Sequence, residues 1–201
     1  MDQPVLSTAY FPNLNYCSLL KNNTQVSIDL GEHFIKQSIR SRCEILGPNG
    51  VLILVVPLKK WRNNTPVRDI QISYDNQWQK LHWKSLESAY RSSPYFEYYE
   101  DKLNKLIIGD NHQFLKDLNV EIMNFIIESL DLNVVVTYTN EYIEDVESAH
   151  DYRIVKNPPT NSLSTGESYI QVFSDRRKFI PNLSILDLMC NEGPNSVNLF
   201  P

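Results

Sequence analysis

At 201 residues, with 42% hydrophobic, 11% aromatic and 21% charged side chains, the chain has the composition of an ordinary globular protein. That apolar content excludes intrinsic disorder, and only 6 glycines exclude a collagen-like chain. Its 19 basic and 24 acidic residues give a formal net charge of -5, which argues against a dedicated nucleic-acid binder.

The opening Met1-Asp2-Gln3-Pro4 has no basic stretch and no long apolar core, so no secretory signal is expected. The longest apolar run, Val51 to Pro57, falls far short of the roughly 20 residues that span a bilayer. Cys17, Cys43 and Cys190 stand apart without a CxxC pair, which suits reduced thiols and builds no zinc site. The reading is a cytoplasmic protein with no membrane span and no metal.

In chain order, Val5 to Ala9 predicts an opening strand, closed by the turn residues Phe11-Pro12-Asn13. A short helix over Leu14 to Lys21 and a strand over Gln25 to Asp29 follow. Cys43-Glu44-Ile45-Leu46 and Val51 to Val56 flank Gly47-Pro48-Asn49-Gly50, a β-hairpin signal. The second arm is apolar on both faces, which predicts interior strands of a sheet. Val67 to Ser73 reads as another strand.

Gln79 to Arg91 reads as a helix stopped at Ser92-Ser93-Pro94, and a second runs from Pro94 to about Ile107. A third starts near His112, its core stripe set by Leu115, Leu118, Ile122 and Phe125. Val134 to Thr137 predicts a buried strand, Pro158 to Ser162 a loop, and Ser168 to Phe173 a strand. Ser184 to Asn191 predicts a closing helix with Ser184 as N-cap and Asp187 favouring its first turn. The fold class expected is α/β: a single domain over residues 1–201, a mixed β-sheet packed with helices.

Lys36, Arg40 and Arg42 recur at even spacing, so on an extended chain they would share one side and suit a phosphate or carboxylate ligand. The alternative is a solvated strand edge. Asp29 is either an orienter or base for that cluster or a turn-forming aspartate. His82 offers an acid or base near neutral pH, against the alternative of a helix with an aromatic inner face. Tyr95, Phe96, Tyr98 and Tyr99 form an aromatic run suited to sugar stacking or to the core. No GxGxxG, GxxxxGK[ST], GxSxG or HExxH motif is present.

Several of these residues lie within a wider pattern. Tyr10-Phe11-Pro12 with Tyr16, Asp29, Phe34 with Lys36-Gln37-Ser38 and Arg42, Trp78 with His82, Tyr90 with Tyr95-Phe96, and Tyr169, Gln171 and Phe173 run along nearly the whole chain. They close on Phe179 to Asp187 and Asn191-Glu192-Gly193. This pattern resembles the WbqC-like family, in a version similar to Bacteroides-type members. The family commonly has Gln-Pro where this chain has Ser7-Thr8, and Asn-Arg where it has Cys43-Glu44.

The resemblance implies a role in surface-polysaccharide (O-antigen or capsule) biosynthesis, such as a transferase modifying a nucleotide-linked amino sugar. Tyr10, Lys36, Arg40, Arg42 and Tyr90 would then bind substrate, and His82 and Asp29 would be catalytic, with Tyr10, Asp29, Arg42 and His82 in one cavity. The alternative is a non-catalytic binding or scaffolding partner of glycan-assembly enzymes. The cofactor, and whether the protein is an enzyme at all, stay open at this point.

Overall fold

The structure, a computed structural model, describes residues 3–109, 111–148, 150–153 and 168–201. Asn13 accepts a hydrogen bond from the Tyr16 N–H and starts α1 (Leu14–Asn22). The helix connects β1 (Val5–Leu6) to β2 (Gln25–Asp29), the middle strand of a parallel sheet. Its other neighbour is β5 (Val135–Thr139), giving the order β1-β2-β5. The fold class is α/β, as expected.

The hairpin forms, with β3 (Arg42–Gly47) antiparallel to β4 (Gly50–Val55) and Gly50 at φ 122 in the turn. It is a separate two-stranded sheet, however, and its strands are not interior to a larger one. Ile45 and Leu54 pack inward while Val51, Leu52, Ile53 and Val55 are exposed. The two-sided apolar pattern therefore marks an open edge strand.

Three other expected strands differ. After Pro66, residues Val67–Asp69 form a 3-10 turn, with Ile70 N–H donating to the Val67 carbonyl, and isolated bridges replace a ladder. β5 lies at the sheet's edge with Val135 exposed, so it is not buried. Ser168 to Phe173 has no strand partner among the described residues, and its side chains bind α5 (Ile185–Glu192) instead. The loop predicted over Pro158 to Ser162 lies outside the described residues.

Between the hairpin and β5 run α2 (Trp78–Tyr90), α3 (Phe96–Asn104) and α4 (Leu115–Ser129). α3 continues as one π-type turn over Lys105–Gly109. One hydrophobic cluster joins both sheets to these helices: Ile28 from β2, Ile45 from β3, Leu86 from α2, Ile122 from α4 and Leu186 from α5. Ser184 caps α5 as expected, accepting from the Leu186 N–H. Asp187 stands in the first turn of α5, as expected, and makes further contacts there. Its carboxylate turns inward and accepts from the Tyr169 hydroxyl at 2.6 Å and from Gln171 Nε2 at 2.9 Å.

Among the described residues no helix is long and apolar enough to cross a membrane. Nor could any group of three or more His, Cys, Asp or Glu side chains among them hold a metal ion.

Candidate functional site

Ligands of open α/β sheets settle at the carboxyl ends of the parallel strands. Here that place is filled by the protein's own charges. Asp29, at the end of β2, accepts from the Gly31, Glu32 and Ile143 N–H groups and from Arg153 Nη1 at 2.5 Å. Arg153 also grips Asp151 through Nε at 2.9 Å and Nη2 at 2.6 Å, and its guanidinium lies 4.6 Å over the Tyr142 ring. Gly31 lets the chain pass: a Cβ there would come within 2.1 Å of the Tyr142 nitrogen.

Arg40, fully buried, makes a two-pronged pair with Glu32 at 2.8 and 2.5 Å and donates to Ser7 Oγ at 2.6 Å. Burial pushes the Glu32 carboxyl up, against the opposing pull of Arg40 and Ser7. Every charged side chain of this lattice has a partner of opposite sign.

The expected convergence of Lys36, Arg40 and Arg42 is thereby corrected. The segment turns, with Gln37 at φ 58 and Ser41 N–H donating to Ser38, so even spacing no longer means one side. Lys36 is exposed and sits 5.3 Å over the Trp61 ring, Arg40 is buried, and Arg42 lies half-buried on β3. Tyr90 also stands elsewhere: its oxygen accepts from the Leu46 N–H at 3.3 Å, and it is the Asp187 carboxylate that lies beside it. Burial pushes the Tyr90 hydroxyl and the Asp187 carboxyl up.

What the fold does bring together is Tyr10 and His82. Phe11 sits at φ 42, a strained conformation for an aromatic residue. The turn it makes is fixed by Ser184 Oγ donating to its carbonyl and by Ile185 N–H donating to Pro12. Tyr10 leaves that turn with its hydroxyl 2.8 Å from His82 Nδ1 on α2. Trp78, one turn earlier on α2, meets the His82 ring edge-on at 5.0 Å. Burial lowers the His82 pKa to about 4, opposed by a contact with the Val55 backbone, and raises that of Tyr10. The imidazole is therefore neutral near pH 7 and the phenol stays protonated.

His82 belongs to a groove of about 590 Å3 between the end of β4 and α2. Val55 and Pro57 form one wall, and Asn76, Gln77, Trp78, Lys80, Leu81 and Lys84 complete it. None of these is acidic. Lys80 and Lys84 are exposed, stand one helical turn apart, and have no ion-pair partner among the described residues. The buried Trp78 indole N–H has no hydrogen-bond partner among them either.

The groove thus combines a neutral imidazole with two cations unpaired among the described residues, the equipment for an anionic ligand and a proton transfer. Of the four residues expected in one cavity, only His82 lines this groove; Tyr10, Asp29 and Arg42 do not. Sequence reasoning found Tyr10 and His82 and missed Ser7, Glu32, Arg153, Lys80 and Lys84. No local signal named the two lysines: each lies two residues from His82, a spacing at which helical side chains do not share a face.

The profile of the WbqC-like protein family matches residues 7–171. An uncharacterized protein of Mycobacterium tuberculosis, Rv1507c, is 24% identical over 139 residues, 69% of this chain and 60% of the relative. The match thus spans less than two thirds of that relative's length. No solved structure matches the chain.

Proposed function

The chain belongs to the WbqC-like protein family, and on that premise we propose that residues 1–201 form one unit that modifies a sugar carried on a phosphate ester during surface-polysaccharide assembly. The α2 groove is its site, and a nucleotide-linked amino sugar is one form of such a ligand. The observation that carries this reading is the 2.8 Å bond between Tyr10 Oη and His82 Nδ1 beside a groove whose lysines have no ion-pair partner among the described residues.

In the base role the His82 imidazole, held between the Tyr10 hydroxyl and the Val55 backbone, accepts a proton from a sugar hydroxyl or amine. The neutral imidazole is ready for that step without prior deprotonation. Tyr10 steers the ring. Lys80 and Lys84 supply charge for the phosphate. Asp29 and Arg40 act at a distance, by holding the chain that carries Tyr10.

The binding-partner reading has less support, since Phe96 and Tyr99 of the aromatic run are buried in the core and only Tyr98 is widely exposed. The test is incubation with a nucleotide-linked amino sugar and an acyl thioester, read by mass spectrometry. The wild type should give the acylated sugar and His82→Gln should lose it while remaining folded. Turnover unchanged in His82→Gln would refute the role.

A further inference from the structure

Strand β4 carries no charge and no proline, the devices that normally blunt a free edge. Its Val51, Ile53 and Val55 project on one face and are 45%, 48% and 38% exposed. The stripe does not stop at the strand. Val55 lines the groove, and across the groove Leu81 is 67% exposed. An aliphatic track therefore runs into a mouth flanked by Lys80 and Lys84. Two like charges at i, i+4 destabilise a helix unless an anion offsets them, and no acid lines the groove.

We propose that the groove takes an amphiphilic phosphate ester, its anionic head on Lys80 and Lys84 and its hydrocarbon chain along Val51, Ile53 and Val55. The inference rests on the reading that the groove holds a sugar carrier, and it names that carrier as a lipid phosphate. Three observations favour this occupant. The cationic mouth complements a phosphate. The apolar stripe is continuous with the mouth through Val55. Val51, Ile53 and Val55 themselves carry no side-chain donor or acceptor for a nucleobase edge. The nearest charges in register, Arg42 opposite Val55 and Glu44 opposite Ile53, put the cation at the groove end and the acid further along.

The test is calorimetric titration of the full chain with farnesyl diphosphate, inorganic pyrophosphate and uridine diphosphate. Farnesyl diphosphate should bind at least about 30-fold tighter than pyrophosphate, the gain expected from burying a few aliphatic groups. Val51→Thr with Ile53→Thr should remove that advantage and leave pyrophosphate affinity unchanged. Lys80→Gln with Lys84→Gln should weaken both ligands by about tenfold or more.

Equal affinity for farnesyl diphosphate and pyrophosphate overturns the proposal, as does tighter binding of uridine diphosphate. A wild-type dimer that Ile53→Lys converts to monomer, with farnesyl diphosphate affinity untouched, assigns the stripe to a second copy and also overturns it. The reading of His82 falls separately: sugar turnover that needs His82 in a protein indifferent to farnesyl diphosphate keeps the base and removes the lipid carrier.

Discussion

Two polar regions of this protein are built on opposite plans. At the carboxyl ends of β1, β2 and β5, Asp29, Asp151 and Glu32 meet Arg153 and Arg40 at hydrogen-bonding distances. In the groove beside α2, Lys80, Lys84 and the Trp78 N–H have no protein partner among the described residues. A lattice that satisfies itself holds structure in place and leaves little for a ligand. A groove with unspent donors can bind one. Charged residues alone thus say little about function; whether their partners come from within the chain says more.

Breaking the lattice should have the largest effect. Arg40→Met leaves Glu32 buried without its cation, and urea unfolding should show a loss of about 3–5 kcal/mol. A loss below about 1 kcal/mol would show that the lattice is not structural and would return Arg40 to the list of ligand-binding candidates.

The next effect is a pH dependence located in the groove. Because burial lowers the His82 pKa to about 4, the unfolded chain takes up a proton between pH ~6.5 and ~4 that the folded chain refuses. Acidification through that window should therefore cost the wild type up to about 3 kcal/mol, with no further loss from this group below pH ~4. Glu32 and Asp187 slope the other way, since burial raises both and their contribution falls as pH rises. Comparing wild type with His82→Gln at each pH isolates the histidine. Parallel stability curves across the window would mean that His82 is ordinarily solvated.

The smallest effect on stability should come from the lysines. Lys80→Gln with Lys84→Gln should leave the melting temperature within the shift expected for about 0.5 kcal/mol, upward if like-charge repulsion is relieved. A large loss would make them structural and would blur the contrast between the two regions.

Much of the fold was legible because local signals agreed with tertiary need. Asn13 and Ser184 cap helices where the sequence places them, and β2 runs over Gln25–Asp29 as read. The errors share a cause: periodicity reports local pattern and not what packs against it. Val51 to Val56 looks interior, yet no second strand pairs with β4 beyond β3 among the described residues. Lys36, Arg40 and Arg42 lose their common side because Gln37 turns the chain. The Tyr10–His82 contact spans 72 residues, and the family pattern flagged both members without stating that they touch. Arg153, which decides the fate of Asp29, is joined to it over 124 residues, and no local signal could have named it.

The most direct test is a nitrogen-detected NMR titration of the full chain that follows the His82 ring together with the guanidinium signals of Arg40 and Arg153. The account predicts that His82 stays neutral at pH 5.5 and titrates near 4, and that inorganic pyrophosphate shifts its ring signals while both arginines stand still. A midpoint near 6.5, or pyrophosphate shifts at Arg40 and Arg153 with His82 unmoved, would contradict it and place the binding site at the strand ends.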